Sequence, residues 1–219
     1  MDDYAAVAAL ADPIRRRLYR YVVAQADAVG REQAAEGAGV PLHTARFHLE
    51  KLVDEGLLET EYRRLSGRAG PGAGRPAKLY KRNATELSVQ VPERSYDLIG
   101  SVLAGAVARS LAGEALESAL TREARDRGHS SGATYDGNGS DLERTAGLLA
   151  DEGFEPSVDG DILSMHNCPF DVLAREQPAL VCGVSLDYVE GALEGLGCRR
   201  LEARLEPAPD RCCVRVAKQ

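Results

Sequence analysis

Five cysteines lie in the last quarter of this 219-residue chain, and they are its side chains best suited to bind a metal. They occur at Cys168, Cys182, Cys198, Cys212 and Cys213. Gaps of 13, 15 and 13 residues separate the successive sites, unlike the C-x2-C spacing of structural zinc. Thiolates are the usual ligands of iron–sulfur clusters. Because ligands so distant in sequence meet only when a domain folds around the metal, the pattern indicates a metal site that is sensitive to conformation.

Cys168 lies in the segment MHNCPFDVLA, immediately before Pro169. A helix is predicted to begin here, and its N-terminal amides are expected to stabilise a thiolate or an anionic cluster. His166, two residues earlier, could serve as the base of a cysteine nucleophile. The sequence contains no third orienting residue in a recognisable motif, no phosphate-binding glycine loop and no carboxylate pair. We therefore do not expect an enzyme.

The composition is typical of a cytoplasmic protein with a substantial core. Hydrophobic residues make up 44% of the chain, and no apolar run approaches the roughly 20 residues that cross a bilayer. The first residues are acidic where a secretory signal would be positively charged. In a reducing compartment, an odd number of cysteines is expected as thiols or metal ligands rather than as a disulfide framework.

The net charge of -7 is unevenly distributed. Residues 1–83 carry 14 Lys and Arg against 11 Asp and Glu, a net charge of +3, whereas the other 136 residues have a net charge of -10. Within 62–82 there are seven basic residues and no acidic one. Affinity for phosphate follows local charge, so an acidic body with a basic edge is compatible with DNA binding.

The N-terminal segment has the element order of a winged helix-turn-helix. The pair Asp12-Pro13 predicts the start of one helix, REQAAEGA a second, Gly39 a tight turn, and PLHTARFHLEKLVDEG a third. LLETEYRRL and KLYKRN predict a hairpin with a Gly- and Pro-rich basic tip. This layout predicts a DNA-binding domain over residues 1–83. The alternative is that the three helices pack together without binding DNA, and that the basic loop is a solvated surface.

The third helix is the expected recognition helix of the major groove. Ala45, Leu49 and Leu52 form its apolar stripe, and the neighbouring His48 is expected to pack rather than to contact DNA. Its candidate DNA contacts are His43, Thr44, Arg46, Phe47 and Lys51, and those of the hairpin are Arg63, Arg64, Arg68, Arg75 and Lys78. Arg46 could donate two hydrogen bonds to guanine and Phe47 could contact a thymine methyl. The hairpin arginines suit the minor groove or phosphates.

A linker and dimerisation helix is predicted over 84–128, with one long helix from about 95 to about 127. Its small residues would allow a second helix to approach closely, and we expect the dimer seam here. The alternative is a helix packed within its own subunit. The Gly- and Ser-rich stretch 128–140 is predicted to be a mobile link. Residues 129–219 are predicted to form an α/β sensor domain, which makes the fold class α+β.

Several motifs resemble one family of regulators. LADPIRRRLYRYV, HTARFHLEKLVDEGLLE and GRPAKLYKR resemble the N-terminal half of ArsR-like winged-helix repressors. HNCPFDVLA, LVCGVSLDYVEGALEGLG and PAPDRCCVRV resemble the C-terminal half of its iron–sulfur-responsive SufR-type branch. The resemblance covers nearly the whole chain except the hairpin tip and the 128–140 stretch. The cysteine motifs are much more specific than the N-terminal ones.

The SufR-type resemblance implies a [4Fe–4S] cluster held by three cysteines, which map onto Cys168, Cys182 and one of the Cys212/Cys213 pair. Neighbours in a strand point to opposite faces, and we favour Cys212 as the inward one. For the fourth ligand, Cys198, His166 and an exogenous group stay open. The other interpretations are buried cysteines that only fill space, a zinc site, or a metal-free thiol switch.

The expected function is a homodimeric transcriptional regulator, a repressor, that reads a palindromic operator in double-stranded DNA. Its C-terminal domain would sense cluster or redox state. The alternative is a small-molecule-responsive winged-helix regulator with structural cysteines and no cluster.

Overall fold

The computed structural model describes residues 3–64 and 76–219, and the chain divides into two units, Met1–Val89 and Gln90–Gln219. The N-terminal unit contains α1 (Asp3–Ala9), α2 (Pro13–Val23), β1 (Val29–Gly30), α3 (Arg31–Ala38), α4 (Leu42–Asp54), β2 (Leu58–Arg63) and β3 (Ala77–Arg82). Its strands form an antiparallel sheet in the order β1-β3-β2. The β2–β3 hairpin pairs continuously from Leu58 opposite Arg82 to Arg63 opposite Ala77.

Local residue chemistry explains the helix boundaries of this unit. The Asp12 carboxylate accepts hydrogen bonds from the backbone N–H groups of Ile14 and Arg15 at 2.8 and 2.9 Å, which caps α2 as the sequence predicted. Gly39 ends α3 in the left-handed conformation, with a φ of 62°. The predicted stripe of α4 is fully buried in the core, and His48 is buried beside it. These placements confirm the sequence interpretation of α4.

The C-terminal unit combines helices with one four-stranded sheet. Its elements are α5 (Tyr96–Leu111), α6 (Leu116–Thr134), α7 (Asp141–Asp151), β4 (Pro156–Asp159), β5 (Ile162–Met165), α8 (Asp171–Glu176), α9 (Pro178–Leu196), β6 (Leu201–Leu205) and β7 (Val214–Lys218). The strands are antiparallel in the order β4-β5-β7-β6. The rings of Phe154 and Phe170 meet edge to face in the core, 5.9 Å between centroids.

The prediction of a single long helix over about 95–127, within the linker and dimerisation region 84–128, is wrong. The structure has two helices there, α5 and α6, separated at residues 112–115. Gly113 adopts a φ of 103°, a conformation that glycine tolerates and that ends a right-handed helix. The periodicity of apolar residues continues on both sides of this glycine, and for that reason it did not reveal the break.

The stretch 128–140 was also misread as a mobile link throughout. Residues 128–134 belong to α6, and Gly128 and Gly132 are buried. A Cβ atom at Gly128 would lie 2.0 Å from the carbonyl oxygen of Tyr188 in α9, and one at Gly191 would lie 2.2 Å from the carbonyl oxygen of Arg125 in α6. Glycines on both helices therefore permit close backbone packing within one subunit.

Candidate DNA-binding surface and cysteine site

Helix α4 presents several of the predicted DNA contacts to solvent. His43, Arg46 and Phe47 are exposed, while Thr44 and Lys51 are half-buried. Phe47 is 67% exposed, which is unusual for a phenyl ring. The Lys51 ammonium lies 2.5 Å from a Glu55 carboxylate oxygen one turn along the helix. Arg46 and Phe47 thus expose a cation and an apolar ring, two kinds of side chain that can read bases in the major groove.

The Lys78 ammonium, a predicted DNA contact, is held by a carboxylate of α4. Its Nζ atom lies 2.8 and 2.6 Å from Oε1 and Oε2 of Glu50, and the Tyr80 hydroxyl donates to Glu50 Oε1 at 2.7 Å. Burial alone would raise the pKa of Glu50, but hydrogen bonds from Lys78 and Tyr80 and the positive charges of Lys78 and Arg46 lower it overall. These contacts fasten β3 to α4 and neutralise Lys78.

Of the four arginines predicted to contact DNA from the hairpin, two lie among the residues that the structure describes. Arg63 and Arg64 are exposed, and Arg63 Nε lies 3.6 Å from a Glu61 carboxylate oxygen. Arg68 and Arg75 lie outside the described residues. The predicted role of these four arginines in DNA binding stays a prediction.

Four of the five cysteines interact with one another in the C-terminal unit. Cys168 precedes α8, Cys182 lies in the first two turns of α9, and Cys212 and Cys213 immediately precede β7. The neighbouring Cys212 thiol shifts the pKa of Cys168, the Cys168 thiol shifts that of Cys212, and the Cys213 thiol shifts that of Cys182. Cys168 and Cys182 also interact electrostatically. Three segments distant in sequence therefore bring thiols near one another, in the pairs Cys168–Cys212 and Cys182–Cys213.

The environment makes Cys168 more acidic than an ordinary thiol. The hydrogen bond from Cys212, then the Phe170 backbone N–H and the Arg94 charge, lower the pKa of Cys168 to about 7 against the effect of burial. The hydrogen bond to Cys168, together with burial, raises the pKa of Cys212. Burial and the hydrogen bond with Cys213 raise the pKa of Cys182 to about 12. Cys168 is consequently the thiol most available as a thiolate at neutral pH.

Two details of the cysteine prediction need correction. Cys168 does not begin a helix, because α8 starts three residues later at Asp171, although the Phe170 backbone N–H does lower the pKa of its thiol. Cys212 and Cys213 precede β7 rather than lying within it. Strand alternation therefore does not force a choice between them, and each contacts a different partner thiol.

The two alternative protein ligands have other contacts. The Cys198 sulfur is buried against α7, 4.0 Å from the Thr145 hydroxyl and 3.9 Å from the Asp141 carbonyl oxygen. Leu196 lies fourteen positions after Cys182 in α9, a rise of about 21 Å at 1.5 Å per residue, which separates Cys198 from Cys182. The exposed His166 ring lies 2.8 Å from the Ser157 hydroxyl through Nε2. The structure therefore places Cys198 away from Cys182, and its role as a fourth ligand stays an untested alternative.

The thiols are arranged as two interacting pairs rather than as a formed metal site. Within residues 3–64 and 76–219, no three His, Cys, Asp or Glu side chains form a group that could hold a metal ion. Binding of a metal would require the thiols to leave their paired contacts. The donor chemistry is that of a soft-metal site, but its coordination geometry is not preformed.

Sequence reasoning missed residues that connect the predicted contacts to the fold. Glu50 is a half-buried acidic residue in a helix of mixed charge, and only the fold brings Lys78 to it. Asn167 precedes Cys168 in the segment MHNCPFDVLA but was given no role. It is 7% exposed and fully hydrogen-bonded through its amide. A buried asparagine next to a reactive thiol was a signal that could have been read.

Comparison with known proteins supports the N-terminal interpretation. Residues 10–61 match the family model described as a helix-turn-helix domain. The chain carries a helix-turn-helix domain. Together with the β2–β3 hairpin, this match supports a winged-helix, DNA-binding transcriptional regulator of α+β architecture. No match was found among curated proteins or among solved structures. In the described part of the chain, no helix has the length and apolar character needed to cross a membrane.

Proposed function

We propose that the protein is a homodimeric transcriptional repressor of the SufR-type branch, which binds a palindromic operator and senses iron–sulfur cluster or redox state. The observation that carries the sensory half is the proximity of Cys168 to Cys212 and of Cys182 to Cys213, which come from three segments of the chain. The observation that carries the DNA-reading half is the exposed Arg46 and Phe47 pair on α4, in the domain that matches the helix-turn-helix family.

The donor set fits an iron–sulfur cluster in ligand type and number. Cys168, Cys182 and Cys212 would hold the [4Fe–4S] cluster, and Cys213 is better placed than Cys198 to be the fourth ligand. A bound cluster would supply a centre that is sensitive to oxygen and to redox state. The Phe170 amide and the Arg94 charge favour the anionic form of Cys168, which metal binding requires.

The proposed dimer rests on an exposed apolar face of α5. Gly100, Ala104, Val107, Ala108 and Leu111 recur at helical spacing and are exposed, Val107 by 51% and Leu111 by 85%. A second copy of α5 is the proposed partner of this face. Leu111→Glu should shift the sedimentation coefficient to that of a monomer, while Val158→Glu, an exposed change on β4, should not. Equal sedimentation of Leu111→Glu and the unchanged protein would refute this face as the seam.

The decisive experiment is an anaerobic absorption spectrum with iron and sulfide analysis. We expect a brown protein that loses its visible absorption and iron in Cys168→Ser. Cys198→Ser is the matched control, because that thiol lies against α7, and it should keep both. Colourless protein after anaerobic reconstitution would remove the cluster from the proposal and leave only a metal-free thiol sensor.

A second candidate, a small-molecule sensor, is favoured by one cavity. A depression of about 400 Å³ between α6, α9 and β6 in the C-terminal unit has a lining that includes Arg125, Glu190 and Cys198. This volume falls within the range of small-ligand pockets. This function would be favoured if the protein is metal-free and thiol modification leaves its DNA affinity unchanged, while the Arg125→Ala substitution alters that affinity.

A further inference from the structure

Residues 93–95, here called the connector, lead from the N-terminal unit into α5. They are hydrogen-bonded to Asn167 and to Pro169, the residues on either side of Cys168. Residues 93–95 follow the end of that unit, Val89, after only three intervening residues. We infer that Asn167 and Arg94 are positioning residues that couple the state of the Cys168 thiol to this connector, and through it to the DNA-binding unit. The inference rests on the proposed function, because it specifies how the sensory thiols regulate DNA binding.

Asn167 forms the centre of the connection. Its Nδ2 atom donates to the Glu93 carbonyl oxygen at 2.8 Å and to the Gly153 carbonyl oxygen at 2.7 Å. Its Oδ1 atom accepts from Arg94 Nη1 at 2.5 Å. The side chain is buried, and its amide oxygen and nitrogen both have protein partners. One buried amide therefore joins the residue before Cys168 to two consecutive residues of the connector.

The residues after Cys168 make further contacts to the same connector. The Ser95 N–H donates to the Pro169 carbonyl oxygen at 3.2 Å, and Arg94 Nη2 lies 3.8 Å from Asp171 Oδ2. The Asp171 N–H in turn donates to the Cys168 carbonyl oxygen at 3.1 Å. Cys168 is thus bracketed by three residues that each contact residues 93–95.

This arrangement gives a physical reason for coupled movement. If the Cys168 segment moved alone, the buried Asn167 amide would lose its partners away from water, which is costly. Displacement of Cys168 from Cys212, by metal binding or by modification, is therefore transmitted to the connector. The contacts span two segments more than 70 residues apart in sequence.

The test measures the DNA affinity of the full chain with free thiols and after N-ethylmaleimide has alkylated Cys168, with the site of addition checked by mass spectrometry. We expect alkylation to change operator affinity about tenfold in the unchanged protein. The ratio should fall to within about twofold of unity in Asn167→Ala and in Arg94→Ala, with little change in free-thiol affinity. Arg175→Ala is the matched control, because Arg175 pairs with Asp171 from the exposed side, and it should keep the full ratio.

Failure of the coupling and failure of the proposed function give different results. A ratio of one in the unchanged protein overturns thiol sensing and the coupling with it. A tenfold ratio that persists in both variants overturns the coupling alone. If Asn167→Ala shows no cooperative thermal transition and is therefore unfolded, the coupling is tested with Arg94→Ala and with hydrogen exchange of the unchanged protein. Faster exchange of the Ser95 amide after alkylation is expected, and unaltered exchange contradicts the coupling.

Discussion

Replacing Glu50 with glutamine tests whether the Lys78 ammonium is held by the protein or available to DNA. The two carboxylate oxygens of Glu50 lie 2.8 and 2.6 Å from Lys78 Nζ. Glutamine keeps the shape of the side chain and an acceptor for the Tyr80 hydroxyl, but it removes the negative charge. The variant therefore leaves Lys78 with an uncompensated charge beside the recognition helix.

The magnitude of the effect follows from the electrostatics of DNA binding. Each phosphate that a cation neutralises contributes about 0.9 to the slope of log K against log salt concentration. We expect this slope to steepen by up to about 0.9 in Glu50→Gln, on operator and on unrelated DNA alike, because phosphates carry no sequence information. The pair is partly exposed, with side chains 31% and 41% accessible, so its loss should reduce the free energy of unfolding by only about 0.2–1 kcal/mol.

The assay is fluorescence anisotropy of a labelled duplex over a salt series, with thermal unfolding of each variant as the check on folding. Asp54→Asn removes an equal charge from an exposed position on α4 and controls for net charge. An unchanged slope in Glu50→Gln, or an equal change in Asp54→Asn, would refute the reasoning. Lys78 would then already be free, or would lie too far from DNA to matter.

Three further predictions concern the recognition helix, the thiols and the packing of α6. Arg46→Ala should weaken operator binding by about 1–3 kcal/mol and relax sequence preference at one position. An operator affinity and a sequence preference that are both unchanged in the variant would contradict a base contact. Iodoacetamide should alkylate Cys168 at a rate that rises through about pH 7, since its thiolate forms there, and Cys212→Ala should shift this midpoint upward. Unaltered midpoints in the variant, measured by mass spectrometry, would argue against the hydrogen bond. Gly128→Ala places a Cβ atom 2.0 Å from the Tyr188 carbonyl oxygen, so we expect about 1–3 kcal/mol of destabilisation in denaturant unfolding, and a wild-type midpoint would show that the helices separate easily.

Local chemistry explains why the N-terminal unit was predictable. The Asp12 cap, the left-handed Gly39 and the α4 stripe depend on residues close in sequence, and each lies where the pattern placed it. The same locality explains the ends of α9, which starts at a proline and stops before Gly197 at a φ of 73°. Such features need no knowledge of distant parts of the chain.

The errors in the C-terminal unit arise where distant contacts overrule local preference. A Gly- and Ser-rich segment is predicted to be a link, yet residues 128–134 are helical because their small side chains permit contact with α9. Gly113 was one glycine in an Ala-rich helix, and nothing in its neighbours distinguished a break from a tolerated interruption. The partners of Lys78 and of the Cys212/Cys213 pair likewise depend on which segments pack together.

From the order of its residues alone, this chain specifies a helix-turn-helix head, an acidic C-terminal half and a set of thiols concentrated near one end. Tertiary structure alone decides that Cys198 is remote from the other thiols, that Glu50 neutralises Lys78, and that Asn167 joins the Cys168 segment to the connector. The physical reason is range: caps, turns and helix periodicity act over a few residues. Ion pairs, thiol contacts and buried amide bonds join positions that only the completed fold brings within a few ångströms of each other.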